Sequence, residues 1–596
     1  MIGEKRPTRA TGSWVQRFER VVLMELPAWQ LLILAAAVGA VWAASLFDWS
    51  FVTGRHPFWQ FIEGAVHDWQ TEIVARLVGY LYYVQSPWQL PLFYVPALGA
   101  PAGTNIIFLD VAPIVALVGK LVRSLTGAVV NLYGVYLFLC FVLPGVMMTL
   151  VLIAAKSRYA LAAIIAAMFA NSMPALLFRW AHVALDAHFL LIGGLAFYLF
   201  SLKERAWRGL VAVWIGWLVL AYLTNMYLFA MVGTVWLCAV VQRRLNGLAT
   251  TRQALGIGAL TVASVTTVIA LSTGFGAGGE LPFSLLYGFY SMNLLSPVVP
   301  QESGLFPGLG GVIDATGGQA DGFNYLGLGL LFASLLMLPA EVGWLRRSLR
   351  RHIALLVAFA ALTAFAISHR VFAGHWLLFE LPIPVYITGA LGMLRCSGRF
   401  FYLIGYAQIA IVIVLGFHRA RPVMALCLLG AAILQLFDVQ PLREQIIAAI
   451  AAGPGAEEFD RVQVAGLIAR ARHVEVVPSF QCMIGVEQTG GKMERASEDL
   501  MLAMAKMSVP TNTVTLARQS FGLTLLDVLR APSRAFEMKE ARRDEYCNQE
   551  IERARNSRRL GDIVVLLSEK PRQEEMAPNV TCSPLSWARY CERSKE

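Results

Sequence analysis

The sequence predicts a mainly α-helical, polytopic membrane protein with about eleven transmembrane helices, followed by a small soluble α/β domain. Three observations predict this class. The chain is 57% hydrophobic and only 15% charged, which excludes a soluble globular protein. Residues 29–436 divide into long apolar stretches, and about 20 apolar residues are what a bilayer requires. Short connections rich in Arg and Lys alternate with loops that carry carboxylates.

The first apolar run follows an N-terminal arm at 1–28, and it is too long for a cleavable signal peptide. The segment 110–123 is apolar but short and charged at both ends, so we interpret it as an interfacial or re-entrant helix. The predicted spans within the transmembrane domain, 29–436, are 29–47, 130–154, 160–178, 188–202, 208–222, 226–241, 254–273, 326–340, 353–368, 400–417 and 423–436.

The distribution of charge predicts the topology. Loops rich in Lys and Arg favour the cytoplasmic face, which places the N-terminus in the cytoplasm and the C-terminal domain outside. The loop at 274–325 has no Lys or Arg, so it is predicted to lie outside. The basic connections lie at 5–20, 156–158, 203–208, 243–252, 346–351 and 419–421.

The net charge of +10 arises from this topology and does not indicate a nucleic-acid partner. Residues 1–436 hold 27 Lys and Arg against 16 Asp and Glu, a net charge of +11, whereas residues 437–596 hold 22 against 23, a net charge of −1. A nucleic-acid-binding domain would instead concentrate basic residues on one soluble face.

The C-terminal segment, 437–596, has the composition of a small exported α/β domain. HVEVVPSF and DIVVLLSE favour strands, while ERASEDLMLAMAKM and the charged run 534–559 favour helices. An even number of cysteines in an exported domain fits two disulfides better than zinc, because no C-x-x-C or paired His accompanies them. We prefer nearest-neighbour pairing among three connectivities. The cysteines are Cys482, Cys547, Cys582 and Cys591.

The first outer loop, 48–129, contains the first candidate site. Its segment 57–84 has apolar residues at helical spacing, which predicts a helix in the membrane interface. Within EGAVHDWQTE, a helix would place Asp68 and Glu72 on one face and Glu63 and His67 on another. A carboxylate beside a His is a candidate general base. The alternative is an ordinary solvated helix face.

The second candidate is the short outer turn RWAHVALDAH. It brings Arg179, His182, Asp186 and His188 close together in the chain. Two His and an Asp raise the question of a metal, but the spacing matches no specific ligand motif. Hydrogen bonding to a substrate phosphate or sugar and a satisfied polar turn are the other two interpretations.

The third candidate is LRCSGRFF, at the outer edge of a span. Arg395 and Arg399 lie four residues apart, against the usual bias of basic residues towards the cytoplasm. Guanidinium groups pair with phosphate in two-pronged hydrogen bonds, so these residues are candidates for holding a lipid phosphate. Arginines that anchor the span at the interface are the alternative.

The fourth candidate combines YSMNLLSP with GFNYLG. Asn293, Asn324 and Tyr325 are polar groups close to membrane depth. They would either bind a sugar or satisfy the backbone of an irregular loop.

Taken together, these pieces resemble a known arrangement. HDWQ, FLDVAPIVALVGKL, RWAHVALDAHFLLI, FNYLGLG and RCSGRFF follow one another in the order found in a family of bacterial multi-pass membrane proteins of unassigned function. That family in turn resembles the GT-C superfamily of integral membrane glycosyltransferases. The resemblance covers residues 26–440 and, more weakly, the C-terminal segment. The WWD signature of oligosaccharyltransferases is absent from the sequence.

The resemblance implies a bacterial inner-membrane glycosyltransferase with a periplasmic C-terminal domain. A sugar on a polyprenyl phosphate would be the donor, and an outward-facing glycolipid or polysaccharide would be the acceptor. Asp68 matches the catalytic carboxylate, with Glu63 and Glu72 as rivals, while Arg395 and Arg399 would hold the lipid phosphate. No cofactor is expected, and a divalent metal is without support. The alternatives are a lipid or polysaccharide transporter and a non-catalytic envelope assembly protein.

The predicted topology can be tested with reporter fusions. We expect fusions at positions 245 and 348 to report the cytoplasm, and fusions at 310 and 480 to report the outer compartment, because the basic connections alternate along the chain. A cytoplasmic signal at 480 would reverse the topology and would place the candidate site on the wrong face.

Overall fold

The computed structural model describes residues 14–59, 69–203, 208–274, 284, 286–452, 461–483, 492–514, 530–531, 534–555, 562–566, 580–585 and 588–593. The chain forms a large helical body up to residue 452 and a smaller α/β unit after it.

Helices dominate the part before residue 452. They are α1 (Trp14–Val22), α2 (Ala28–Ala44), α3 (Trp49–Val52), α4 (Trp69–Gln85), α5 (Pro113–Thr126), α6 (Tyr133–Cys140), α7 (Leu143–Ala154), α8 (Ala160–Asn171), α9 (Pro174–Phe178), α10 (Phe189–Ser201), α11 (Arg208–Tyr222), α12 (Met226–Leu245), α13 (Thr251–Thr273), α14 (Leu328–Ala340), α15 (Val342–Leu349), α16 (Ile353–Ile367), α17 (Val385–Leu391), α18 (Tyr402–Phe417), α19 (Pro422–Asp438) and α20 (Gln440–Ala451). Two short antiparallel hairpins pair β1 (Tyr94–Val95) with β2 (Thr104–Asn105) and β3 (Arg370–Ala373) with β4 (Trp376–Glu380).

Six helical segments in the described part of the chain are long and apolar enough to cross a membrane, and two bent helix pairs raise the number to eight if each is one span. The membrane class is confirmed, but eleven spans is too many for these helices. Several predicted spans are short apolar helices, among them α10 and α14 with 13 residues each. At 1.5 Å per residue such a helix extends about 20 Å, less than the ~30 Å hydrocarbon core. The six segments are Tyr133–Ala154, Ala160–Phe178, Met226–Leu245, Thr251–Thr273, Val342–Ile367 and Ser397–Phe417.

Small residues let α2, α7 and α8 approach one another closely. A Cβ on Gly39 would lie 2.9 Å from the Val142 carbonyl oxygen, and one on Gly145 would lie 2.8 Å from the Cα of Ala167. The Asn171 side chain accepts a 2.8 Å hydrogen bond from the Gly145 amide in the same interface. Close backbone contact of this kind is typical of helices packed within a membrane.

The second half of α4, from Leu77 to Val84, is buried in the protein. The side chains of Tyr80, Tyr82 and Tyr83 are almost wholly buried. The hydroxyl of Tyr80 donates to the Val130 carbonyl over 2.5 Å. Elsewhere in the first outer loop, Trp88 and Leu125 are exposed. The membrane interface as the location of the helix predicted for 57–84 stays a prediction.

Connections predicted to be cytoplasmic lie together at one end of the helical body. The Leu26 amide donates to the Arg158 carbonyl over 3.0 Å, and the Lys203 ammonium donates to the Ala154 carbonyl. The loops predicted to lie outside meet at the opposite end. This separation of the two sets agrees with the alternation seen in the sequence, and the compartment that each end faces stays a prediction.

The C-terminal unit contains a four-stranded sheet in the order β5–β6–β8–β7. Strands β5 and β6 are parallel, and the other pairs are antiparallel. Both strands predicted from the sequence are present, as β5 and β6. Its elements are α21 (Arg461–Ile468), β5 (His473–Val477), α22 (Phe480–Met483), α23 (Lys492–Met507), α24 (Ala535–Arg555), β6 (Asp562–Leu566), β7 (Val580–Leu585) and β8 (Ala588–Arg593).

The C-terminal unit packs against the first outer loop through α23 and the turn after it. The hydroxyl of Tyr82 donates to the Val509 carbonyl over 2.6 Å, and the amide of Gln85 donates to the Ala505 carbonyl over 2.7 Å. Helix α4 directly follows the segment with the candidate base. These bonds fix it to the C-terminal unit.

One predicted disulfide is confirmed. Cys482 is bonded to Cys547, which joins α22 to α24 across a sequence separation of 65 residues. Cys591 is also disulfide-bonded, and it lies directly opposite Cys582 in the β7–β8 register. This placement fits the predicted Cys582–Cys591 bridge.

The disulfide between α22 and α24 should stabilise the C-terminal unit. Replacing Cys482 and Cys547 together by Ser should lower its free energy of unfolding by about 2–4 kcal/mol, because the unfolded chain loses a long closed loop. Thermal unfolding of the purified full chain, followed by protease accessibility of this unit, measures the effect. Cys427→Ala, at a free cysteine on α19, is the control and should leave the transition unchanged. Four free thiols in exported protein would contradict the assignment.

Candidate functional site

Three segments meet at the end of the helical body opposite the basic connections. They are the turn 179–188 between α9 and α10, the 3-10 turn Gln319–Gly322, and the 3-10 turn Ser397–Phe401 that leads into α18. Glycines permit this contact. A Cβ on Gly398 would lie 2.4 Å from the Cα of Gly322, and a Cβ on Gly322 would lie 2.3 Å from the Ser291 carbonyl oxygen. Any larger residue at either position would force the turns apart.

The three turns bring two arginines onto one carboxylate. Nη2 of Arg179 lies 2.5 Å from Oδ1 of Asp321, and Nη2 of Arg399 lies 3.0 Å from the same oxygen. The side chains are 5%, 7% and 14% exposed for Arg179, Arg399 and Asp321. We call these three residues the Arg–Asp–Arg cluster. Nη2 of Arg179 also donates to the Ala320 carbonyl over 2.7 Å, so the arginine holds the turn as well as the carboxylate.

The electrostatics of the cluster keep Asp321 ionised. Burial alone would raise the pKa of the Asp321 carboxyl, but Arg399 and Arg179 lower it, and the net pKa lies well below the usual value. The cluster therefore has two positive charges and one negative charge in a largely buried setting. Arg395 adds a further positive charge beside it, with its guanidinium carbon 5.8 Å from the centre of the Tyr290 ring. Among the described residues, three arginines therefore lie near the Asp321 carboxylate.

Two of the predicted site residues hold the loop that carries Asp321. Nδ2 of Asn293 donates to Gln319 Oε1 over 3.1 Å and to the Gly374 carbonyl over 2.8 Å. Nδ2 of Asn324 donates to the Gly398 carbonyl over 2.9 Å. These contacts favour the interpretation that both amides satisfy the irregular loop, and sugar binding by them stays a prediction. Tyr325, the third residue of this set, is buried.

The turn 179–188 also carries two buried polar residues, Asp186 and His188. Asp186 is fully buried, and neither carboxylate oxygen has a hydrogen-bond partner among the residues that the structure describes. Burial raises the pKa of Asp186 well above its usual value, although Arg179 opposes the shift. Nδ1 of His188 lies 2.9 Å from the Tyr406 hydroxyl, and burial lowers the pKa of His188 to about 3. Burial thus favours the neutral form of both side chains.

The His and Asp residues of this turn were also considered as possible metal ligands. Within the described part of the chain, no group of three or more His, Cys, Asp and Glu side chains has the geometry to hold a metal ion. Asp186 and His188 are instead suited to hydrogen bonding with neutral groups such as sugar hydroxyls. His182, four residues before Asp186, lowers the pKa of Asp321 and so lies within electrostatic reach of the cluster.

The predicted base, Asp68, lies outside the described residues, as do Glu63 and His67. Glu72 belongs to α4, but its side chain is also outside the description. The residues just before this segment are informative. The ring of Phe58 lies 6.1 Å from the ring of Trp180, which is the neighbour of Arg179 in the chain. Phe58, which comes shortly before the segment with the candidate base, therefore lies beside the turn that carries Arg179.

Asp321 was not among the residues predicted to form the site. Arg399 was a candidate, and a buried arginine needs an anionic partner. The available signal was the Asp-Gly pair directly before FNYLG, in a loop without Lys or Arg. An acidic residue in such a loop must find its cationic partner elsewhere in the chain.

Comparison with solved structures finds chains of an archaeal oligosaccharyltransferase among the similar proteins. An archaeal oligosaccharyltransferase, AglB from Archaeoglobus fulgidus, in complex with an inhibitory peptide and a dolichol-phosphate, is 13% identical, with a TM-score of 0.40 over 93% of this chain and 70% of that chain. A structure of the Archaeoglobus fulgidus oligosaccharyltransferase with Zn and sulfate is 12% identical, with a TM-score of 0.40 over 90% and 67% of the two chains. At this similarity they assign no activity to the chain.

The family comparison is firmer. No curated protein matches the sequence. A family profile, described as a domain of unknown function, DUF6311, matches residues 36–440. This range contains α4 to α19 and all three residues of the Arg–Asp–Arg cluster. Since the match covers more than half of the chain, the protein belongs to the DUF6311 family.

Proposed function

We propose that this protein is an integral membrane glycosyltransferase of the GT-C type. It would move a sugar from a polyprenyl-phosphate carrier to an outward-facing glycolipid or polysaccharide. The observation that carries the proposal is the meeting of two buried arginines on one carboxylate at the junction of three predicted outer loops. Arg179 and Arg399 share the single carboxylate of Asp321, and Arg395 lies beside them.

A buried guanidinium is stabilised by an anion that pairs with it, so a site with two buried arginines is suited to an anionic ligand. Nε of Arg399 is buried and has no hydrogen-bond partner among the described residues, which leaves a donor available. Guanidinium groups match the geometry of phosphate oxygens and form charge-assisted hydrogen bonds with them. The 3-10 turn with Arg399 is the first part of the apolar candidate span Ser397–Phe417. A lipid phosphate would lie near such an end of a span, at the surface of the membrane.

The proposed reaction is a single displacement at the sugar C1. An acceptor hydroxyl attacks C1, the bond from C1 to the phosphate oxygen breaks, and the lipid phosphate leaves with the bonding electrons. Arg399 and Arg179 stabilise the charge that develops on the leaving phosphate. Asp68 takes the proton of the acceptor hydroxyl as general base. The packing of Phe58 on Trp180 supports this role, because Phe58 lies ten residues before Asp68 in the chain and contacts the neighbour of Arg179.

Asp186 and His188, both fully buried, would contact the sugar. Burial raises the pKa of the Asp186 carboxyl, and a carboxyl in its protonated form can both donate and accept a hydrogen bond, which matches the requirement of a sugar hydroxyl.

Asp68→Asn tests the proposed base. The substitution keeps the size and hydrogen bonding of the side chain but removes its proton-accepting charge, so transfer should fall by about 10²–10⁴-fold. The readout is labelled sugar transferred from a polyprenyl-phosphate donor in membranes that contain equal amounts of the variant. Glu63→Gln and Glu72→Gln are the matched controls. If Glu63→Gln or Glu72→Gln loses transfer while Asp68→Asn keeps it, the base is that Glu instead of Asp68. If all three variants keep full transfer activity, the mechanism is rejected.

Arg399→Ala tests the phosphate site. Donor binding should weaken by about tenfold or more, since a phosphate loses a charge-assisted partner, and raising the donor concentration should restore transfer in part. The same increase should not rescue Asp68→Asn. Arg370→Ala is the control, because Arg370 is an outer arginine that pairs with Glu380 at 3.4 Å and is half exposed. Equal effects of the two arginine variants would argue against a specific phosphate site.

A further inference from the structure

Asp321 occupies the position that an anionic ligand of the cluster would take. A single oxygen, Oδ1, accepts from Nη2 of Arg179 at 2.5 Å and from Nη2 of Arg399 at 3.0 Å. A phosphate oxygen bound by the same two arginines would lie where this carboxylate oxygen lies. The two anions would then compete for one pair of donors.

The position of Asp321 in the chain allows such competition. Both arginines lie next to helices of the body, at the end of α9 and before α18. Asp321 lies on a short 3-10 turn of the long outer loop between α13 and α14, and it is the most exposed member of the cluster at 14%. Its carboxylate can therefore swing towards the outer surface while the arginines stay buried.

The turn is held in place by contacts other than those of the Asp321 carboxylate. Asn324 binds the Gly398 carbonyl, and Ser296 Oγ donates to the Gly322 carbonyl over 3.2 Å. Arg179 donates to the backbone of Ala320 as well as to Asp321. These bonds hold the backbone of the turn and do not involve the Asp321 side chain. The turn can thus keep its place when the carboxylate leaves the arginines.

We propose that Asp321 is an internal substitute for the phosphate of the lipid donor, which binds by taking the place of the Asp321 carboxylate between Arg179 and Arg399. The proposal rests on the proposed function, because it concerns the same phosphate site. Without a ligand, Asp321 compensates part of the buried positive charge. With a ligand, the phosphate makes these contacts and the carboxylate turns outward. Only an anion that binds the two arginines more tightly than the Asp321 carboxylate does can then occupy the site.

The test measures the affinity of the purified full chain in detergent for farnesyl phosphate, a short prenyl phosphate. Asp321→Asn keeps the size of the side chain and removes the competing charge. Its affinity should be about tenfold or more higher than that of the wild type, because a larger fraction of the protein then has an open site. Asp321→Glu keeps the charge and should not bind more tightly. Glu302→Gln removes one charge from the same loop at a residue without an ion pair among those described, and should leave the affinity unchanged.

A second measurement guards against loss of structure in the Asn variant. Asp321→Ala leaves a space of carboxylate size between the arginines, so added acetate should compete with farnesyl phosphate in this variant. In the wild type acetate should have no effect, since Asp321 fills the space. A purely structural role for Asp321 would predict weaker binding in both variants and no acetate effect, and this result would overturn the proposal.

Failure of this proposal is distinguishable from failure of the proposed function. If the wild type binds farnesyl phosphate, Arg399→Ala weakens binding and Asp321→Asn fails to strengthen it, then only the exchange is wrong. If farnesyl phosphate binds neither the wild type nor Asp321→Asn, the phosphate site itself is wrong, and the exchange fails with it.

Discussion

The sharing of one buried carboxylate by Arg179 and Arg399 is the constraint on which the outer end of the molecule depends. These residues come from three separate segments and meet in a largely buried setting. Removing one partner of a buried ion pair typically costs about 3–5 kcal/mol. The ion pair therefore adds to the backbone bonds of Ala320 and Gly398 that join the turn after α9, the long loop before α14 and the start of α18. The glycine contact between residues 322 and 398 sets their separation.

This constraint also explains the many polar contacts of the loop around it. A buried loop must satisfy the hydrogen bonds of its own backbone, because water does not reach it. Asn293 joins the loop to the hairpin of β3 and β4. On α19, one carboxylate oxygen of Asp438 accepts from the Ser303 hydroxyl and the other accepts from the Leu328 amide. The loop is thus irregular in backbone but fixed in position, which a charge-bearing site requires.

The sequence predicted what depends on local pattern. The helical membrane class, the strands β5 and β6, and the Cys482–Cys547 bridge followed from hydropathy, alternation and cysteine context. Arg399 was found because a basic residue at the outer edge of a span is unusual. Asp321 was missed because its partners are distant in the chain, Arg179 by more than a hundred residues, and no local signal marks the pairing. The burial of Tyr80 and Tyr82 was missed for the same reason, since their aromatic pattern also suits an interfacial helix.

The contact between α4 and the C-terminal unit has a consequence for biogenesis. Helix α4 is among the first elements to leave the ribosome, whereas α23 and Val509 are made after every helix of the membrane body. Until they arrive, the hydroxyl of Tyr82 lacks the Val509 carbonyl, and the amide of Gln85 keeps its bond to the Leu81 carbonyl but lacks the one to Ala505. Helix α4 therefore reaches its final packing only after α23 has been made. The packing of an early helix is thereby linked to the synthesis of the C-terminal unit.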